Sequence, residues 1–392
     1  VKRGQLAEVC LTITKGTTPT TLGMNYSDSG VPFIRVNNFP TGVLRLNDDI
    51  LFVSEATHRM LSRSVIRPRD VLLSIAGTIG RSCVVPPESP EANCNQAVCI
   101  IRTDESVLDS SYLNRWLSSD DACIQLSGGK VTGVISNLSL TNVRNLQIPL
   151  PPLAEQKRIA AILDAADALR AKRREALAQL DSLLQSTFID MFGDPVTNPM
   201  GWEKQRMGEL MRIRRGGSPR PIEKYLGGTI NWIKIGDATR SGDDLYITSC
   251  AEKITEAGLS KTTLLAPGSF VFANSGVSLG FARILKVSGA IHDGWLAFED
   301  YDRGRLNEVF LLKTLNGITD HFRRIAPSGT QPNLNTRIMN SFELILPPIT
   351  DQHRFATIVE SVERQKTRMR THLAELDALF AALQHRAFKG DL

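Results

Sequence analysis

The longest regular alternation of apolar and polar positions lies between Glu155 and Met191, a stretch without Gly or Pro. Ile159, Ile162, Ala166, Leu169, Ala176, Leu180 and Leu183 recur there at three- and four-residue steps. That spacing predicts one helix of about 55 Å with an apolar seam. Pro151 and Pro152 mark its start, because proline donates no backbone hydrogen bond and disfavours helix before it. Phe192-Gly193-Asp194-Pro195 supplies the stop. The pattern returns from about Thr350 to Ala387, with Phe355, Ile358, Val362, Met369, Leu376, Leu379 and Leu383 as its seam.

The two stretches are copies. Leu150-Pro151-Pro152-Leu153-Ala154-Glu155-Gln156-Lys157-Arg158-Ile159 aligns with Leu346-Pro347-Pro348-Ile349-Thr350-Asp351-Gln352-His353-Arg354-Phe355 at an offset of 196 residues. Over Leu150–Phe192, 14 of 43 positions are identical, among them Gln156/Gln352, Arg174/Arg370 and Asp181/Asp377. The duplication organises the chain. Because 196 is a whole number of heptads, the two seams share a register.

Elsewhere the apolar runs are short and punctuated by Gly, Pro, Asn and Asp. They predict strands at Phe33–Val36, Asp70–Ile75, Ser82–Val85, Ala97–Ile101 and Val131–Ile135, and a helix at Ser110–Leu126 capped by Asp109 or Ser110. The second half retells this framework. Gly216-Gly217-Ser218-Pro219 echoes Gly16-Thr17-Thr18-Pro19, and Pro267 through Gly276 echoes Pro68 through Gly77. The expected fold is α+β: mixed α/β globules at 1–152 and 193–348, alternating with helical regions 153–192 and 349–392. A whole domain separates the two helices, so an antiparallel coiled coil is expected, with pseudo-twofold symmetry and one globule at each end of a rod.

Charge adds little: the net +5 permits nucleic-acid binding without requiring it. Six cysteines, five of them in the first half and none in a Cys-x-x-Cys pair, exclude a repeated metal or disulfide framework. No apolar run is long enough to span a membrane, so a soluble, cytoplasmic protein is expected. Catalytic motifs are missing. There is no phosphate-binding Gly-Lys-Ser/Thr loop, no Gly-x-Ser-x-Gly elbow and no His-Glu-x-x-His pair, and no histidine recurs in both copies. The Leu-Pro-Pro pairs lack the polar and aromatic neighbours of the motif that grips a flipped adenine.

What remains is a set of cations, amides and hydroxyls near glycine-rich turns in both copies. They are Lys15, Thr17, Arg35, Asn37, Asn38, Arg81 and Lys130, then Arg215, Ser218, Arg220, Lys234, Asn274, Ser275, Gln331 and Asn333. Arg and Lys suit guanine edges and phosphates, and Asn and Gln suit adenine edges. Each alone reads more readily as a solvated loop residue; the set in both copies reads as two DNA-reading heads. A basic cluster, Arg170, Lys172, Arg173 and Arg174, recurs as Lys366, Arg368, Met369 and Arg370. It reads either as a solvated face or as a track for phosphates or an acidic partner.

Leu150 through Leu163, the Asp70–Gly77 stretch with Gly80, and their counterparts resemble the specificity (S) subunit of type I restriction–modification systems, over essentially the whole chain. The resemblance implies that the globules are target recognition domains and the helices a ruler for a bipartite, asymmetric DNA site. It implies no enzyme activity and no cofactor in this chain. S-adenosylmethionine, ATP and Mg2+ would belong to partners: two adenine-N6 methyltransferase (M) subunits and two restriction (R) subunits. A methyltransferase-only complex and a coiled-coil scaffold without DNA contact are the alternatives. The second copy departs at Thr350-Asp351-Gln352-His353, which puts equal affinity for the two M subunits in doubt.

Overall fold

The structure, a computed structural model, describes residues 2–46, 49–127, 137–240, 244–327 and 333–392. It divides into two compact units: Val1–Glu175 with Thr371–Leu392, and Ala176–Arg370. The division falls within the long helices, Leu153–Phe192 and Ile349–Lys389, and not at their ends.

In the first unit, Cys10–Lys15, Val98–Thr103, Val71–Ser74 and Ser82–Val84 form one antiparallel sheet in that order. Leu51–Val53, Val31–Ile34, Ala92–Cys94 and Val65–Ile66 form a second. Alternate residues of a strand face opposite sides. Leu72 and Ile100 therefore join Ile34, Ile66 and Cys94 in one core, while Val71, Leu73, Cys99 and Ile101 pack on Tyr112, Trp116, Leu163 and Phe388. Every residue of Val71–Ser74 is buried because both faces of its sheet are covered. Asp70 is buried beside this strand, and Arg102 neutralises it through two bonds of 2.7 Å.

The second unit repeats the plan. Arg212–Arg215, Trp295–Glu299, Phe270–Ala273, Ala282–Leu285 and Tyr246–Ile247 make one sheet; Glu252–Ile254, Leu226–Ile233, Gly289–Ile291 and Thr263–Leu265 make the other. Phe270, Phe272 and Phe298 share a core with Phe188, Phe192, Phe310 and Phe355.

The predicted helix at Ser110–Leu126 is two, Ser110–Leu117 and Asp120–Leu126. Ser119 starts the second by accepting a bond from the Ala122 N–H, and Asp109 caps the first. The predicted strand at Val131–Ile135 lies outside the described residues.

The repeated glutamine explains where each long helix begins. Gln156 is buried; its Oε1 accepts from the Asp109 N–H at 3.0 Å, and its Nε2 donates to the Val107 and Pro151 carbonyls. Gln352 does the same with the Asn307 N–H and the Arg305 and Pro347 carbonyls. One side chain thus ties the helix start to the loop that caps a globular helix, through three bonds, in both units.

Within each unit the helical segments run antiparallel. In the first, Arg158 reaches the Leu392 carbonyl and Arg170 reaches Asp377; in the second, Asp181 meets Lys366 and Phe188 meets Phe355. The seam differs from the predicted one. On the second helix it is Phe355, Val359, Val362, Lys366, Met369, Leu373, Leu376, Phe380, Leu383 and Ala387, all less exposed than their outward neighbours. On the first, Ile159, Leu163, Ala166, Arg170, Arg173, Leu177, Leu180 and Leu184 face inward. Ile159, Ala166, Leu180, Phe355, Val362, Met369, Leu376 and Leu383 therefore hold the predicted positions. Leu169, Leu183 and Leu379 do not: they are about half exposed, and Ile162 and Ile358 are flanked by the more buried Leu163 and Val359. The error has a physical source. Three seam positions carry long cations, Arg170, Arg173 and Lys366, which an apolar count passes over; Arg170 and Lys366 bury their aliphatic stems while their charged ends find carboxylates.

Arg170 and Lys366 are repeat-related, and so are their acids. Arg170 Nε lies 2.6 Å from Asp377 and packs over the Phe380 ring. Lys366 Nζ lies 2.6 Å from Asp181, the counterpart of Asp377. Lys366 is 1% exposed and also meets Asp244 and Glu363. Burial alone would lower its pKa; the bonds to Asp181 and Asp244 outweigh that and raise it. Lys366→Met is expected to cost about 2 kcal/mol, less than the roughly 3–5 kcal/mol of breaking a fully buried pair, because the half-exposed Asp181 and Asp244 can rehydrate. Denaturant unfolding measures it.

Burial would raise the Asp244 carboxyl, but Lys366 and Arg370 hold it below its ordinary value near 3.8. A depressed carboxyl contributes stability above its unfolded value, and this is lost as pH falls through the folded one. Asp244→Asn is therefore expected to be less stable than the parent at neutral pH, with the two melting curves converging below about pH 4.

Candidate nucleic-acid interface

In the second unit, main-chain bonds gather the predicted residues along one edge. The Gly216 N–H donates to the Trp295 carbonyl at 2.9 Å, and the Gly217 N–H to that of Ile291 at 3.0 Å. The His292 N–H donates to Ile233, the Asn274 N–H to Gly294, and the Leu334 N–H to Asn274. Strand ends carrying Arg215, Lys234, Asn274 and His292 are thereby stitched together. Gly216 is required by close approach, since a Cβ there would come within 2.2 Å of the His292 carbonyl oxygen. The first unit uses the same stitches: Gly16 to Val98, Thr17 to Cys94, Asn95 to Ile34, Ile75 to Ala97, and Leu138 to Ile75. A Cβ on Gly16 would meet the Cys94 and Asn95 carbonyl oxygens at 2.1 Å.

Lys15, Asn37, Arg215 and Arg220 stand exposed on these edges; Thr17, Arg35, Arg81, Ser218, Lys234, Ser275 and Asn333 are half-buried. Arg35 donates to the Asp49 carbonyl at 2.8 Å, and Arg215 to that of Asp293 at 3.1 Å. Lys234 lies over the Trp232 ring and binds Glu252. Ser275 and Asn333 face each other in a β-bridge, as Ala76 and Asn137 do in the first unit.

Two expected contacts are not surface groups. Asn38 is 2% exposed, and its Oδ1 accepts the Arg35 N–H at 2.8 Å; Asp237 does the same for Lys234. Asn274 is fully buried, with its Nδ2 toward Asn333. Both shape the edge from below. Lys130 and Gln331 lie outside the described residues.

The loops facing the glycine turns went unnoticed in the sequence. In the second unit, Ser218 Oγ donates to Asp293 Oδ1 at 2.7 Å, and His292 Nε2 lies 3.0 Å from the same oxygen. In the first, Thr18 Oγ1 bonds Gln96 Oε1. Burial pushes the His292 imidazole below its ordinary pKa, and nearby Lys234, Arg220 and Arg215 add to this against the pull of Asp293. Burial would raise the Asp293 carboxyl; Ser218, His292, Arg215 and Arg220 outweigh it and keep it low. Asn95-Gln96 and His292-Asp293 share no residue type, and their offset differs from that of the helices, so no repeat signal marks them.

Among the described residues, no group of three or more His, Cys, Asp or Glu is placed to hold a metal ion. None of their helices is long and apolar enough to cross a membrane.

Two units of one topology, each with a stitched polar edge and a glutamine-anchored helix, coincide with two matches to a single family, the type I restriction modification DNA specificity domain, at residues 1–179 and 199–378. The chain belongs to that family. As a specificity subunit it is similar to the EcoKI specificity subunit of Escherichia coli K12, at 23% identity over 94% of this chain and 84% of that one. It is likewise similar to the MjaIX specificity subunit of Methanocaldococcus jannaschii, at 22% over 96% and 90%. The match to the EcoBI specificity subunit of Escherichia coli is 28% identical but spans 43% of this chain and 36% of that protein. Among solved structures, the specificity subunit resembles a chain from a study of complex assembly and conformational transition of the type I R-M system, with a TM-score of 0.62 and 23% identity over 100% and 98% of the two chains. It also resembles the S subunit from M. genitalium, with a TM-score of 0.57 and 14% identity over 99% and 96%. These likenesses support the α+β fold with paired long helices.

Proposed function

We propose that each unit's stitched edge reads one half of a bipartite, asymmetric site in double-stranded DNA, and that the long helices set the gap between the halves. The observation that carries this is one backbone scaffold presented twice with unlike side chains: Lys15, Thr17, Arg35 and Gln96 on one edge, and Arg215, Ser218, Lys234 and Asp293 on the other. Unlike readers on like frames suit unlike half-sites. The chain bridges two methyltransferase subunits and, where the system restricts, two restriction subunits. It carries no catalysis of its own, so S-adenosylmethionine, ATP and Mg2+ are used by the partners.

Mapping methylated adenines in a host that carries the chain with its methyltransferase tests this. A two-part motif is expected, with Arg215→Ala and Arg220→Ala altering one part only. A continuous motif, or changes in both parts, would refute it.

The mid-helix cluster divides. Arg174 binds Asp377 and Arg370 binds Asp244, so their charges are engaged. Lys172 and Arg368, which are repeat-related, are exposed. The phosphate-tracking role is therefore assigned to these two. Replacing both with Gln is expected to reduce the slope of log affinity against log salt by about two, with the motif unchanged. An unchanged slope would remove phosphates from the account.

A further inference from the structure

We infer that Gln96 and Asp293 are equivalent base-reading residues, one per unit, and that Asp293 selects a base with an exocyclic amine, cytosine or adenine. This rests on the DNA-reading proposal and goes beyond it by naming a position and its chemistry.

Equivalence comes from the backbone. Asn95 and His292 donate to the last residues of matching strands, Ile34 and Ile233, which makes Gln96 and Asp293 the next residue in each unit. Both side chains are then held by a hydroxyl from the glycine turn, Thr18 on Gln96 and Ser218 on Asp293. The geometry is duplicated while the chemistry differs, as expected of a position that varies with the sequence read.

At Asp293 the hold is one-sided. Ser218 Oγ and His292 Nε2 both address Oδ1. His292 Nδ1 accepts the Gly294 N–H, which leaves the ring proton on Nε2 and aims it at the carboxylate. No hydrogen bond engages Oδ2 among the described residues, and the side chain is 39% exposed. Arg215 donates to the Asp293 carbonyl at 3.1 Å, and the charges of Arg215 and Arg220 favour the ionised carboxylate. A carboxylate is repelled by DNA phosphates, so on such an edge its free oxygen lowers general affinity while adding discrimination between bases. An ionised carboxylate accepts and cannot donate, so it favours cytosine N4 or adenine N6 and rejects guanine O6 and thymine O4. Gln96 both donates and accepts, which matches the N6–N7 edge of adenine. Ser218 and His292 are positioning residues, since they act through Asp293.

The test uses the full chain with its methyltransferase partner. Asp293→Asn keeps the shape and adds a donor. Methylome mapping is expected to show about tenfold or greater relaxation at one base of one half-site, with the other half-site unaltered and serving as the fold control. Ser218→Ala is expected to relax the same base less, and Ser218→Thr, which keeps the hydroxyl that holds Asp293 Oδ1, to restore the parent preference. Gln96→Glu should alter one base in the other half-site. An unchanged motif in Asp293→Asn overturns the inference while leaving the two-edge reading intact; a parent motif that is not bipartite overturns that reading instead. If Asp293→Asn abolishes methylation, selection of bound duplexes from a randomised pool decides. A pool shifted at one base supports the inference; a pool with the parent preference, or with no enrichment, overturns it.

Discussion

Gln352→Leu is expected to destabilise the subunit by about 3 kcal/mol, although leucine fits nearly the same space. The substitution strands three groups at buried or part-buried sites: the Asn307 N–H and the carbonyls of Arg305 and Pro347. A stranded buried group costs more than the net worth of the bond it made, about 1–3 kcal/mol each before relaxation. Gln156→Leu is expected to do the same through Asp109, Val107 and Pro151. Chemical denaturation followed by circular dichroism measures both. A loss under about 1 kcal/mol would mean that the Leu-Pro-Pro segment alone fixes the helix start.

Seven residues inserted into each long helix, continuing the seam pattern, should widen the gap in the recognised DNA by about three base pairs. One heptad adds about 10 Å of helix, and the duplex rises about 3.4 Å per pair. The half-sites themselves should not change, because neither edge is touched. Four residues, about 6 Å, should widen the gap by about two pairs at a cost in stability, since four does not preserve the seam. Adenine methylation mapping reads both results. An unaltered gap after either insertion would detach the helices from the spacing role.

The fold was legible where one pattern ran long. Duplication, helix bounds and the antiparallel pairing all follow from a repeat whose prolines, glutamine and seam recur at one offset. The seam register was misread at Leu169, Leu183 and Leu379, because Arg170 and Lys366 hold inward positions that apolar counting does not credit. The edge residues were legible as a class, through glycine turns rich in cations and amides. Their individual roles were not: Asn38 and Asn274 have the composition of readers but are buried as braces. Gln96 and Asp293 were missed for the opposite reason. Their equivalence lies in backbone hydrogen bonds between distant strands, and no residue type repeats there to mark it.

The stitches at Gly16 and Gly216 have a consequence for how such a protein changes. Contacts that hold each edge run mainly from amide to carbonyl, and the exposed Lys15, Asn37 and Arg220 side chains above them make no framework bond among the described residues. New letters can therefore be written at those positions by single substitutions without loosening the page beneath, so altered DNA preferences should arise in this chain at little thermodynamic penalty.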